Sequence, residues 1–139
     1  MNIELKTYTK LSLIIIIGLF LRISASYFYG DTTIENEWGS LLNNLYKHGI
    51  LSIEKFDDNL IPSVYMPPLY VYFLFLIKLV TPLNVNFVDT VIHIQIILST
   101  ISIFFFYRLN NFFFSKKWSL LNSFLLSIFP LSIYSSSQI

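Results

Sequence analysis

Residues 11–28 read LSLIIIIGLFLRISASYF, an apolar run interrupted by a single charge, Arg22. At about 1.5 Å of rise per residue, a helix of this length extends roughly 27 Å, close to the thickness of the hydrocarbon core of a bilayer. Signal-peptide apolar regions are shorter, at roughly 7–15 residues, and bulky Tyr27 and Phe28 follow the small residues at which cleavage would fall. We therefore interpret this run as an uncleaved transmembrane helix.

The composition of the whole chain indicates a membrane protein. Its 139 residues are 55% hydrophobic and only 12% charged, with a mean hydropathy of +0.65. A soluble domain carries about a quarter charged residues. The net charge of +1 argues against a nucleic-acid partner, which a basic surface would recognise. Because the chain has no cysteine, disulfides, thiolate zinc sites and a cysteine nucleophile are excluded.

Three further apolar stretches follow along the chain: residues 69–80, 91–107 and 118–134. The first of them is the shortest, with Pro67 and Pro68 before it and Pro82 after it. As a helix it would extend about 18 Å, which is typical of an interfacial or buried segment rather than of a membrane span. A tilted or lengthened helix that does cross remains the alternative.

The basic residues distinguish these two topologies. Lys6 and Lys10 precede the first run, and Arg108, Lys116 and Lys117 lie between the last two. Lys and Arg in short loops favour the cytoplasmic side, and both clusters lie there only if the short stretch does not cross. We therefore predict an all-α membrane protein with a cytoplasmic N-terminus. Its three predicted transmembrane helices are residues 11–28, 91–107 and 118–134, and its outer-face segment covers residues 29–89.

The outer-face segment contains a predicted amphipathic helix over Thr33–His48, before the short interfacial helix. Apolar residues recur at helical spacing along one side of it: Ile34, Trp38, Leu41, Leu42 and Leu45. The sequence Thr-Thr-Ile-Glu at residues 32–35 matches a capping box, and Gly49 matches a C-terminal stop. We expect the apolar side to face lipid or the protein core.

Acidic residues at the outer end of the first span are the first candidates for chemistry. Asp31 follows that span directly, and it has two interpretations: a cap for the next helix, or a functional carboxylate. Glu35 and Glu37 add two carboxylates close by in the sequence. These two could hold a divalent cation, act as a base, or form the solvated face of the helix.

Arg22 lies inside the first span, where a charge is costly unless it snorkels or faces a polar cavity. Its guanidinium either reaches the outer interface or binds a lipid phosphate. His93 and Gln95, in the second span, are typical of interhelical hydrogen bonding. No pattern matches a phosphate loop, a metal-binding histidine pair or a nucleophile elbow, so no metal ligand is assigned.

The order of several motifs points to one family. The motifs are Asp31, Glu37-Trp38, Gly49, Pro67-Pro68-Leu69-Tyr70, Gln95, Tyr107-Arg108 and Phe129-Pro130. From Leu19 onward the chain resembles the N-terminal part of the integral-membrane glycosyltransferases of the C-type fold. Within that group it is most similar to bacterial members of the protein mannosyltransferase family, which includes the aminoarabinose transferases that act on lipid A.

The resemblance implies an enzyme of the bacterial inner membrane. Such enzymes take a sugar from a polyprenyl-phosphate carrier that is embedded in the membrane lipid. They transfer it to a hydroxyl acceptor on a glycan, lipid or protein at the outer face. It implies that Asp31 is the catalytic base or positions the acceptor. Further candidates for substrate binding are Arg22, Glu35, Glu37 and Tyr70. The cofactor is unknown, with a divalent cation as one option.

Members of that family are several hundred residues long, so we expect residues 1–139 to be an N-terminal piece that is inactive alone. The alternative is a small non-catalytic membrane protein, such as an assembly partner or a transporter fragment. That protein would need neither an acid at position 31 nor an ordered outer helix. The reading frame beyond Ile139 would distinguish the two.

Overall fold

The computed structural model describes residues 2–34, 36–53, 55–56, 59–62 and 66–139. The helices are α1 (Asn2–Tyr29), α2 (Glu37–His48), α3 (Pro68–Val80), α4 (Phe87–Phe113), α5 (Lys116–Ser127) and α6 (Pro130–Ser135). Two short strands, β1 (Lys55–Phe56) and β2 (Asn59–Leu60), pair antiparallel, a hairpin that the sequence did not predict. The chain divides into two compact units: Met1–Asp31 with Ile92–Gln138, and Thr32–Val91 with Ile139.

Two helices are long and apolar enough to cross a membrane by length and composition: Leu5–Tyr29 of α1 and Phe87–Phe113, which is α4. Both contain the helices predicted from the sequence and extend beyond them. The predicted single helix over residues 118–134 is wrong, because the structure has α5 and α6 with a break between them. Pro130 has no backbone N–H to donate and disfavours helical geometry at Phe129, whose ψ is 116°.

In the first unit, α1 and α5 each have one buried stripe. The buried residues of α1 are Leu11, Ile14, Gly18 and Arg22, and those of α5 are Ser119, Ser123 and Ser127. Gly18 lies at a close approach to the neighbouring helices, since a Cβ atom there would lie 2.6 Å from Ile103 Cδ1 and 3.2 Å from Ser127 Cβ. Small residues at such positions allow helix backbones to pack closely, as in membrane helix bundles.

The two ends of the first unit differ in charge. At one end Lys6 and Lys116 line a common groove, so the N-terminal ends of α1 and α5 lie together. At the other end, the N–H of Asp31 donates to the carbonyl of Ser137 over 3.1 Å. Gln138 Nε2 donates to the carbonyl of Tyr29 over 2.6 Å at the same end. The basic residues and Asp31 therefore lie at opposite ends of the unit.

In the second unit, α2 begins later than predicted. Asn36 is its N-cap, and its Oδ1 accepts a 3.1 Å hydrogen bond from the N–H of Trp38. The predicted capping box at residues 32–35 is therefore wrong, and Glu35 lies outside the described residues. The predicted C-terminal stop is confirmed: Gly49 has a φ of 70° and its N–H donates to the carbonyl of Leu45.

The apolar side of α2 packs on α3. Leu41, Leu45 and Val71 form a buried cluster, and Trp38 and Phe75 pack against it. The predicted stripe is thus confirmed over the helical residues, and in the structure it faces the protein core. Helix α3 has 13 residues and extends about 20 Å, which agrees with the short apolar helix predicted after Pro67.

Candidate functional site

Arg22 is completely buried among the helices of the first unit, with a relative exposure of 0%. Its Nε donates to Ser99 Oγ over 2.8 Å, and its Nη2 donates to Ser132 Oγ over 3.0 Å. Its Nη1 donates to the carbonyls of Gly18, over 3.0 Å, and Ser127, over 3.2 Å. All four acceptors are neutral oxygen atoms. The guanidinium therefore joins α1 to α4, α5 and α6.

The break between α5 and α6 supplies one of these acceptors. In an unbroken helix the Ser127 carbonyl would accept from the N–H four residues later, but the chain leaves the helix at Ile128. Arg22 Nη1 donates to that carbonyl instead. Ser132, on the first turn of α6, provides a second acceptor just past the break. The Phe129-Pro130 motif thus has a local consequence: it exposes a backbone acceptor to a buried cation.

Asp31 lies in the connection that follows α1, and its side chain is half-buried. It does not cap α2, because Asn36 does so. The nearest helix end is the C-terminal end of α1 at Tyr29, where the helix dipole destabilises an anion. The dipole of α1 therefore does not favour an acid at this position. The backbone of Asp31 is held by its hydrogen bond to Ser137.

Two of the other candidates belong to the second unit. Glu37 is the first residue of α2 and is exposed, where the helix dipole favours an acid. Tyr70 is half-buried, with its ring 4.9 Å from that of Trp38 in an edge-on arrangement. Tyr70 also stacks on Phe73, with 6.0 Å between ring centroids. Both residues therefore lie close to Trp38: Glu37 precedes it in the sequence, and the ring of Tyr70 packs against its ring.

The structure does not bring Arg22 to Asp31. Tyr29 lies seven positions after Arg22 in α1, about 10 Å along the helix axis, and Asp31 follows beyond the helix end. Among the described residues, no group of three or more His, Asp or Glu side chains could hold a metal ion. His93 is exposed and Gln95 is half-buried on α4. At the end of the first unit opposite the lysines, the candidate site is therefore Asp31, whose backbone is held by Ser137.

The polar contacts around Arg22 were missed by the sequence reasoning. The signal was present: serines at positions 119, 123 and 127 recur every four residues, and Ser99 lies in the middle of an apolar run. Hydroxyl side chains on one side of an apolar helix are typical of interhelical packing and hydrogen bonding. Read beside Arg22, they would have predicted a buried polar contact rather than snorkelling.

Comparisons with models of known protein families, with curated proteins and with solved structures found no match for this chain. The resemblance to membrane glycosyltransferases accordingly stays a prediction made from the motifs.

Proposed function

We propose that the chain is the N-terminal part of an integral-membrane glycosyltransferase of the bacterial inner membrane. The enzyme transfers a sugar from a polyprenyl-phosphate donor to a hydroxyl acceptor at the outer face, and Asp31 is its base. In this proposal α1, α4 and the α5–α6 pair cross the membrane, and the lysine-rich end of the first unit is cytoplasmic. The positive-inside rule supports that orientation.

The observation that carries the proposal is the position of Asp31. It follows the end of a helix long enough to span the bilayer, opposite the basic end of the unit, and it has no capping role. A carboxylate placed against the preference of the helix dipole supports a chemical role for Asp31. At the outer end of a span, it lies where a lipid-borne sugar and a water-soluble acceptor can meet.

The reaction needs such a group. A hydroxyl is a weak nucleophile, and a carboxylate can accept its proton as its oxygen bonds to the anomeric carbon of the donor. The bond between that carbon and the phosphate oxygen breaks, and its electron pair stays with the lipid phosphate. The leaving group departs as an anion and requires cations or hydrogen-bond donors rather than an acid.

Arg22 has a different role in this proposal. Its four hydrogen bonds go to neutral oxygens of the protein and its side chain is buried, so we assign it to holding α1 against the other helices. It thereby fixes the helix that ends next to Asp31. Cations for the lipid phosphate would then come from other parts of the enzyme.

The test is sugar transfer by the full-length protein in membranes, comparing the parent with Asp31→Asn at equal expression. The amide keeps the size of the side chain but cannot accept the proton. We expect a rate loss of about 10²–10⁴, the usual contribution of a general base. Glu37→Gln is the matched control, because it removes an exposed carboxylate six residues later in the sequence and should change the rate little. Near-parental transfer by Asp31→Asn would overturn the assignment.

A further inference from the structure

A second candidate site lies at the opposite end of the first unit from Asp31. A groove of about 940 Å³ runs between the N-terminal parts of α1 and α5. Its rim carries lysines from both helices: Lys6, Lys10, Lys116 and Lys117. Its walls are apolar, formed by residues such as Leu13, Ile17, Leu121 and Phe124. No acidic residue is among the described residues that line it.

From this groove we infer a binding site for an anionic phospholipid, with its phosphate at the lysines and its acyl chains along the apolar walls. The groove has the two parts that such a lipid requires. Its cationic rim suits the phosphate, and its apolar wall suits the acyl chains. Basic pockets between membrane helices on the cytoplasmic side are suited to anionic head groups. The inference rests on the proposed membrane placement, and it is independent of sugar transfer.

The charge on α5 supports an anion as the occupant. Lys116 and Lys117 stand on the first turn of this helix, where the dipole is positive and cations are unfavourable. Its N-cap, Ser115, makes no side-chain capping hydrogen bond, and the N-terminal end of a helix favours an anion. A lipid phosphate would relieve the repulsion between these like charges.

Trp118 fixes the depth of the site. It lines the same groove and is 55% exposed, directly after the two lysines of α5. Tryptophan prefers the level of the lipid head groups, between the hydrocarbon core and water. The lysines would then lie at the phosphate level, with the apolar wall below. A lipid without a net negative charge would contact the apolar wall but would gain no attraction from the lysines of the rim.

Trp118 also provides the measurement. The chain has two tryptophans, so Trp38→Phe leaves Trp118 as the only one. The protein is reconstituted in phosphatidylcholine vesicles that contain a minor fraction of either brominated phosphatidylglycerol or brominated phosphatidylcholine, whose bromine atoms quench nearby tryptophan. Each lysine near an anionic head group favours it about fivefold. We therefore expect local enrichment of the anionic lipid of about fivefold or more at low salt.

Two double variants with equal net charge separate the site from general surface attraction. Lys6→Gln with Lys10→Gln should lower the ratio of the two quenching signals severalfold, with the remaining preference due to Lys116 and Lys117. Lys47→Gln with Lys78→Gln, both in the second unit, should leave it unchanged. If Trp38→Phe lowers the yield of folded protein, the quenching of the Trp118→Phe variant is subtracted from that of the parent, and the difference is the Trp118 signal.

Three results would overturn the inference: equal quenching by the two lipids, equal effects of the two double variants, or no quenching by either lipid because protein covers the groove. Vesicle flotation is measured on the same samples. A protein that floats with the vesicles but shows no lipid preference refutes this site alone. A protein that does not float refutes the membrane placement as well.

Discussion

Arg22 and Ser99 are joined by a 2.8 Å hydrogen bond from Nε to Oγ, which links α1 to α4 inside the first unit. Ser99 is half-buried and is separated from Arg22 by most of the chain, so this bond is a tertiary contact. A buried guanidinium that lost an acceptor would retain an unsatisfied donor in an apolar environment. The hydroxyl of Ser99 should therefore contribute more to stability than an ordinary serine on a membrane helix.

Ser99→Ala should lower the free energy of unfolding by about 1 kcal/mol, within the range measured for hydrogen bonds between membrane helices and to charged groups. The loss should depend on Arg22: in the Arg22→Met background, Ser99→Ala should cost much less. A double-mutant cycle in denaturant-titrated micelles measures this coupling.

Ser102→Ala is the matched control for that cycle. Ser102 lies on the same helix and is exposed, and its hydroxyl donates only to the carbonyl of Ser99 within α4, over 2.7 Å. Its loss should change stability by less than about 0.5 kcal/mol. Equal effects of the two alanine variants would mean that the contact between Arg22 and Ser99 does not stabilise the unit.

Gly18→Ala should destabilise the first unit by about 1 kcal/mol, although alanine is the better helix former. The added Cβ would lie 2.6 Å from Ile103 Cδ1, and Ile103 is fully buried, so its side chain has little room to turn away. Ile103→Val removes that methyl group and should recover most of the loss. Thermal unfolding of the single and double variants measures this recovery of stability. Strictly additive losses of stability from the two substitutions would contradict the close approach of Gly18 to Ile103.

The sequence predicted α1, α3, α4 and most of α2, but not the division into α5 and α6 or the contacts that hold the helices together. Length and hydropathy were sufficient for α1 and α4, because a long apolar run has few other stable forms in a membrane. The helical spacing of Leu41 and Leu45 gave the buried side of α2. The break at Phe129-Pro130 was visible as a proline, yet its result depends on Arg22, which lies more than a hundred residues earlier and takes the freed carbonyl. Such pairings are properties of the packed structure.

The start of α2 shows a second limit of sequence reasoning. Two candidate caps stood close together, a threonine in a capping-box pattern and the asparagine at position 36. Both residue types favour the N-cap, so local preference could not choose between them. The structure uses Asn36, which leaves Asp31 without a capping role. The interpretation of the candidate site therefore changed through a residue that had no part in the prediction.

Asn36→Ala should accordingly lower the stability of the second unit by about 1 kcal/mol, the usual cost of removing an N-cap side chain. Thr32→Ala, which removes the cap residue of the predicted capping box, should have almost no effect, because Thr32 is exposed and lies before the helix. Helix content and the unfolding midpoint of the two variants can be compared directly. A larger loss from Thr32→Ala than from Asn36→Ala would restore the capping box and return Asp31 to the edge of that helix.

The orientation of the helices predicts how single cysteines should react, because the natural chain has none. Ser115, between α4 and α5, is exposed and makes no side-chain capping bond, so Ser115→Cys should leave the fold intact. It lies at the lysine-rich end, which we place in the cytoplasm. Asn84, in the turn before α4, is also exposed and lies near the opposite end of that helix.

In intact cells, an impermeant thiol reagent should label Asn84→Cys and not Ser115→Cys. In permeabilised cells, the same reagent should label both variants. Labelling of Ser115→Cys in intact cells would reverse the orientation, whereas labelling of both variants would mean that α4 does not cross the membrane.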